Sequence, residues 1–397
     1  MRRTGIWQVL LAVSGISLVL LIFKTHSIVR DGRSSMVYAT EPEVTTETSA
    51  LDEHQILLVS GLFPLAKSKH SKEEYRTWLS LFLGSVTTDI YFFTSPELAD
   101  LVAEVRGNLP IVINTTFSTP FDIPPLAPFR EAYTRMHALD RERARHSTEL
   151  YAIWNGKPYY LDEALKNSEK KYSYAFWCDA GSFRHEHVYQ NWPDSSRVEQ
   201  IWEEASGLSG VAKEELLFFP MWEPPHASMN FWQDSLGPVD TDFSEGSFFG
   251  GSPQSIRWWT ELFYLYHDYY LKQGIFVGKD QTLINALFLL YPSRVITVWV
   301  TDPDAPAHRG LVSSVEGPLG TCGDNWYYYQ FWLSDVQSRN KMRKIWNSKA
   351  WFAWWRERST CRITRVLSMK DVLLRRFGSR WAPPDATLSL PHLLSKA

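Results

Sequence analysis

The sequence predicts an α/β fold, a mostly parallel central sheet with helices on both faces, behind an N-terminal transmembrane helix. Three observations predict it. Continuous apolar runs of strand length recur along the chain, as in strands covered on both faces. Segments with helix-start signals separate them, and alternating strand and helix means a parallel sheet. The run Tyr174-Ala-Phe-Trp-Cys178 then delivers Asp179 to a strand's carboxyl end, where open α/β sheets place their ligands.

The elements follow in order. Residues 6–23 carry no charge and as a helix span roughly 27 Å, close to a bilayer core. Arg2 and Arg3 precede them, and no small-x-small cleavage site stands before Lys24, so the run reads as an uncleaved anchor covering residues 1–30. The sequon Asn114-Thr-Thr116 fits a lumenal domain, hence a single-pass type II protein of the Golgi or another secretory-pathway membrane. Residues 31–52 are polar with no apolar period and read as a flexible stem.

The main domain, 53–336, opens with the apolar run Gln55-Ile-Leu-Leu-Val-Ser-Gly61. Ser71-Lys-Glu-Glu74 is a capping box, and Tyr75, Trp78, Leu79 and Phe82 share one helical face behind it. Thr88-Asp-Ile-Tyr-Phe-Phe93 and Ile111-Val-Ile113 read as strands, with a helix over 98–105 between them. Prolines 120, 124, 125 and 128 forbid regular structure over 117–128, and a polar helical segment over 131–149 follows. Residues 172–177 and 216–219 are further strands, 255–272 is an aromatic helix and 283–290 an apolar one.

Residues 337–397 read as a basic, Trp-rich extension suited to a membrane surface, an anionic ligand or docking on the main domain. A net charge of −3 gives no global attraction to nucleic acid, which is not expected as a partner. Trp 18, Tyr 18 and Phe 22 suit either heavy core packing or a wide cleft for a planar ring or sugar face. Of Cys178, Cys322 and Cys361, the last two are the pair proposed for a disulfide in an oxidising compartment.

Three carboxylates are candidates for chemistry. Asp179 either binds a cation, bonds a ligand hydroxyl or caps the following turn through the Gly181 amide. Glu245 precedes Gly246-Ser-Phe-Phe-Gly250-Gly251, whose glycines either admit a ligand to the backbone or make a bulge. Asp280, with Gln281, opens an apolar helix that it is also placed to cap.

The order of Trp177-Cys-Asp-Ala-Gly181, a glycine-rich Phe-x-Gly element and Asp280-Gln-x-x-x-Asn285 is similar to nucleotide-sugar glycosyltransferases of the GT-A type. More narrowly, Trp154-x-x-Lys157, Trp177 to Gly181, Phe248-Phe-Gly-Gly251 and Asp280-Gln281 resemble the HtrL/YibB family, over roughly residues 55–333. GT-A enzymes usually carry Asp-x-Asp, two carboxylates on Mn²⁺ or Mg²⁺. Position 177 is Trp where the first Asp would stand.

The resemblance implies a GT-A-like, Rossmann-like fold and transfer of a sugar from a nucleoside diphosphate sugar to a glycan, protein or lipid acceptor. It implies Asp179, Glu245 and Asp280 as catalytic, with Lys157, Trp177, Gly181, Arg184, Gly250, Gly251 and Gln281 on the donor. Mn²⁺ or Mg²⁺ would sit on Asp179 with His308; without metal, Lys157 and Arg184 are the cations for the leaving phosphate. A catalytically idle carbohydrate-binding or scaffold protein on the same fold is the alternative, and a metal-dependent hydrolase a third class.

Overall fold

The computed structural model of the chain describes residues 55–65, 67, 70–305, 323–349, 364–388 and 390, all within one compact unit of residues 52–397. The anchor, the stem, His308, Cys322 and Cys361 lie outside the described residues. Among those described, no helix is long and apolar enough to cross a membrane.

Eight strands form one sheet: β1 Ile56–Leu62, β2 Asp89–Thr94, β3 Ile111–Asn114, β4 Tyr174–Cys178, β5 Leu217–Met221, β6 Phe248–Gly251, β7 Val295–Trp299 and β8 Val366–Ser368. Their spatial order is β3-β2-β1-β4-β6-β5-β7-β8. β6 runs antiparallel to β4 and β5, and β8 runs antiparallel to β7. The remaining pairs are parallel.

Strand alternation divides the core into two layers. Leu57, Val59, Ala175, Trp177, Leu217 and Phe219 face one layer. Ile56, Leu58, Phe176, Cys178 and Phe218 face the other. The first is covered by α4 Thr148–Asn167, α6 Pro253–Lys272 and α7 Asp280–Leu290. The second is covered by α1 Lys72–Leu83, α2 Ala99–Arg106, α5 Ser195–Ser209 and the short α8 Tyr329–Trp332. α3 Arg130–Met136 precedes α4, while α9 Val336–Lys349 and α10 Met369–Phe377 complete the described helices.

The capping box forms as the sequence predicts, with the Glu74 amide on Ser71 Oγ at 3.2 Å and the Ser71 amide on Glu74 Oε2 at 2.8 Å. One expectation is corrected. The segment 131–149 is not one helix, because α3 ends at Met136 and α4 starts behind the Ser147 cap. Of the three options for residues 337–397, the described residues dock on the main domain: β8 completes the sheet beside β7, and Arg365 pairs with buried Asp302 at 2.8 Å. Arg375 of the same stretch likewise pairs with Asp304 at 2.9 Å.

Candidate functional site

The chain builds β1, β2 and β3 outward in one direction, then returns to lay β4 on the other side of β1. Such a reversal splays the loops leaving neighbouring strand ends and opens a crevice there. A cavity of about 610 Å³ occupies this place. Its lining comes from Gly61 and Leu62 at the end of β1, Glu97 and Leu98 after β2, and Trp177 and Asp179 at the end of β4. α1 adds Tyr75 and Trp78, and Tyr327 closes another side.

α4 presents Leu150, Ile153, Trp154 and Lys157 to the same cavity. Their spacing, i, i+3, i+4 and i+7, is that of one helical face. Gly156 leaves room for the ring of Tyr160 on the same helix, 2.7 Å from where a Cβ would stand, and for Ile123 at 3.2 Å.

Asp179 sits in the floor. Alternation along β4 gives it the same face as Ala175 and Trp177, the face that α4 covers. Its Oδ1 accepts the Trp177 indole N–H at 2.6 Å and lies 3.2 Å from Lys157 Nζ, and its side chain stays 34% exposed. The capping reading is not what the geometry holds. The turn is fastened by the Asp179 carbonyl, which accepts from the Ser182 amide at 3.0 Å and from Ser182 Oγ at 2.8 Å. The carboxylate is left to Trp177, Lys157 and the cavity.

Lys157 is buried, with Nζ 2.9 Å from the Gly246 carbonyl, 3.2 Å from Asp179 and 3.1 Å from Asp280 Oδ2. The approach to Asp280 is an ion pair whose angle falls outside hydrogen-bond alignment. Burial works against the ammonium charge, but attraction from Asp179 and Asp280 outweighs it and raises the Lys157 pKa. Lys157 lines the cavity while its Nζ already lies within 3.2 Å of three oxygens.

Asp280 and Glu245 lie beneath the floor instead of lining the cavity, at 4% and 1% exposure. Asp280 Oδ1 accepts its neighbour's amide, that of Gln281, at 2.9 Å at the start of α7. Burial, assisted by the Asp179 charge, raises its pKa more than Lys157 lowers it. Glu245 Oε1 accepts the Ser247 amide at 3.0 Å and Oε2 has no hydrogen-bond partner. Burial raises Glu245 well above the ordinary carboxylate value, and the Asp179 charge adds to it. The three carboxylates do converge, but only Asp179 faces the cavity.

Arg184 also lines it, with its guanidinium 4.5 Å from the Trp78 ring centroid and 5.2 Å from that of Tyr327. It forms no ion pair among the described residues. Gly181 permits the close approach of Trp78, whose ring would lie 3.1 Å from a Cβ there. Gln281 and Asn285 serve the backbone. Gln281 Nε2 donates to the Ser244 carbonyl at 2.6 Å, and Asn285 holds Ser244, Val239 and Thr241. The glycine pair is likewise placed by packing, because a Cβ on Gly250 would stand 2.1 Å from the Ala175 carbonyl, and one on Gly251 2.7 Å from that of Leu216.

Sequence reasoning placed Tyr75 and Trp78 on a core-facing helix and did not single out Tyr327. His70, Tyr75 and Trp78 form an edge-on cluster, with His70 and Trp78 centroids 4.7 Å apart. The aromatic excess was the signal, without an address.

A divalent metal fits this centre poorly. Among the described residues no group of three His, Cys, Asp or Glu is placed to hold one. The space between Asp179 and Asp280 is taken by the Lys157 ammonium.

No family model matches the chain, and no curated protein matches it. Among solved structures, the apo crystal structure of mouse xyloside xylosyltransferase 1 is similar with a TM-score of 0.34 and 8% identity, covering 62% of this chain and 84% of that chain. The HtrL/YibB resemblance accordingly rests on the quoted motifs.

Proposed function

We propose that the chain is a glycosyltransferase, moving a sugar from a nucleoside diphosphate sugar to a glycan, protein or lipid acceptor, held to a secretory-pathway membrane by residues 6–23. The observation that carries this reading is Asp179, set by Trp177 and Lys157 into the floor of a cavity at the crossover between β1 and β4. Trp78, Tyr75 and Tyr327 offer ring faces and edges to a base or sugar, and Arg184 offers the planar fork that suits a diphosphate.

In the reaction the bond from the anomeric carbon to the diphosphate oxygen breaks and a bond to the acceptor oxygen forms. The diphosphate leaves with the electron pair, opposite Arg184. Asp179 is the carboxylate able to bond a ligand hydroxyl or to take its proton, because Glu245 and Asp280 lie below the floor. Lys157, held in turn by Asp280, positions Asp179.

The idle carbohydrate-binding reading keeps one observation in its favour, a Trp at position 177 where a second carboxylate would stand. A thermal-shift screen separates the two. Nucleotide sugars at a hundredfold excess over Kd are expected to add about 2.7 kcal/mol, a rise of a few degrees that Arg184→Ala removes. A response to free glycans alone, with no nucleotide effect, would instead favour the idle protein.

A further inference from the structure

Three oxygens surround Lys157 Nζ beneath the cavity floor: Gly246 O at 2.9 Å, Asp280 Oδ2 at 3.1 Å and Asp179 Oδ1 at 3.2 Å. Two are anionic and the third is a backbone carbonyl, the donor set a hard divalent cation takes. The three come from separate elements, the end of β4, the start of α7 and the loop before β6, and meet on one point that α4 fills. Such a cage stays open to metal only while nothing else balances its charge.

We propose that the Lys157 ammonium is a built-in replacement for a divalent cation, so that this centre takes no Mn²⁺ or Mg²⁺ while Lys157 is present and takes one when the ammonium is removed. Depth supports this. The side chains of Lys157 and Asp280 are 4% and 6% exposed, so displacing the ammonium would leave the buried Asp280 carboxylate without its counter-charge. The Trp177 indole also occupies Asp179 Oδ1, competing for the oxygen that a metal would need.

Charge completes the case. Two carboxylates and one ammonium leave a single negative charge where a dication would leave none. The compensating charge is that of Arg184, which lines the same cavity between Trp78 and Tyr327. A ligand's diphosphate is then met by Arg184 without a bridging metal; that last clause rests on the proposed glycosyl transfer, whereas the cage does not.

The test uses Mn²⁺ alone, with no nucleotide, so that its outcome is independent of whether the protein transfers sugars. Mn²⁺ uptake by the full-length chain is followed by electron paramagnetic resonance, alongside the melting temperature. The unaltered protein and Asp179→Asn are expected to take up the same amount. Lys157→Met is expected to bind one further ion and to rise by about 5 °C on saturation, and Asp280→Asn added to it abolishes both effects. Uptake by the unaltered protein that disappears in Asp179→Asn overturns the proposal, as does a folded Lys157→Met that gains no ion. Should Lys157→Met fail to fold, the unaltered protein and Asp179→Asn decide alone: equal uptake supports the proposal and Asp179-dependent uptake rejects it.

Discussion

The Trp177 indole donates to Asp179 Oδ1 across 2.6 Å, so a buried ring two residues upstream orients the carboxylate. Asp179→Asn keeps an acceptor for that N–H and leaves Lys157 paired one-to-one with Asp280. Transfer is expected to fall at least a hundredfold while the melting temperature stays within a few degrees. Full activity in the variant would remove Asp179 from the mechanism.

Glu245 sets a pH dependence whose sign follows from burial. The native carboxyl keeps a proton that the unfolded chain releases above pH 4.5, so native protein binds more protons and stability falls as pH rises above that value. The slope reaches at most about 1.4 kcal/mol per pH unit and ends once the native group itself ionises. Glu245→Gln is expected to flatten it above pH 4.5 in denaturant titrations. Parallel profiles for the two proteins would contradict the assignment.

Gly250→Ala is expected to cost more than about 3 kcal/mol, because its Cβ would meet the Ala175 carbonyl at 2.1 Å and neither strand can yield without breaking the ladder. The variant would be poorly soluble or melt far below the parent. A stable Gly250→Ala that loses only ligand binding would return this glycine to the donor site.

Arg106 donates to the Leu83, Val86, Thr88 and Pro110 carbonyls, tying the end of α1 to the starts of β2 and β3. Burial lowers its pKa to about 10. Arg106→Met is expected to destabilise the domain by about 3–5 kcal/mol, since several buried carbonyls lose their donor together. Ligand affinity of the folded fraction should not change, which calorimetry would check.

The proposed topology predicts that the mature protein keeps its N-terminus and carries a glycan on Asn114, at the end of the edge strand β3. Peptide mapping by mass spectrometry tests both. An N-terminus near residue 25 or later would reject the anchor.

Much of the sheet was legible because strands covered on both faces are written as unbroken apolar runs, and β1 to β5 each fall on one. β6 was not, since Phe248-Phe-Gly-Gly251 reads as a turn until β4 and β5 close on it. α4 was hidden by Gly156 and Pro158, two residues that argue against a helix locally and are tolerated here by packing, the Pro158 carbonyl accepting from Thr260. In the site, the convergence of Asp179, Glu245 and Asp280 could be read from a parallel sheet that gathers its strand ends along one edge. Their depth could not, because it depends on how α4 and α7 meet under the floor, a contact between segments over a hundred residues apart.

The last strand gives the chain's tail a structural duty. β8 covers the outer edge of β7, and Thr387 reaches back to Asp234, donating from its amide at 2.7 Å and from its hydroxyl at 2.6 Å. A protein cut at residue 336, where the sequence suggested a boundary, would bare a row of unsatisfied amides and carbonyls on β7 and strip two donors from a buried aspartate. Its fate would be self-association through that edge, so the sheet depends on the segment after residue 336 that fastens it.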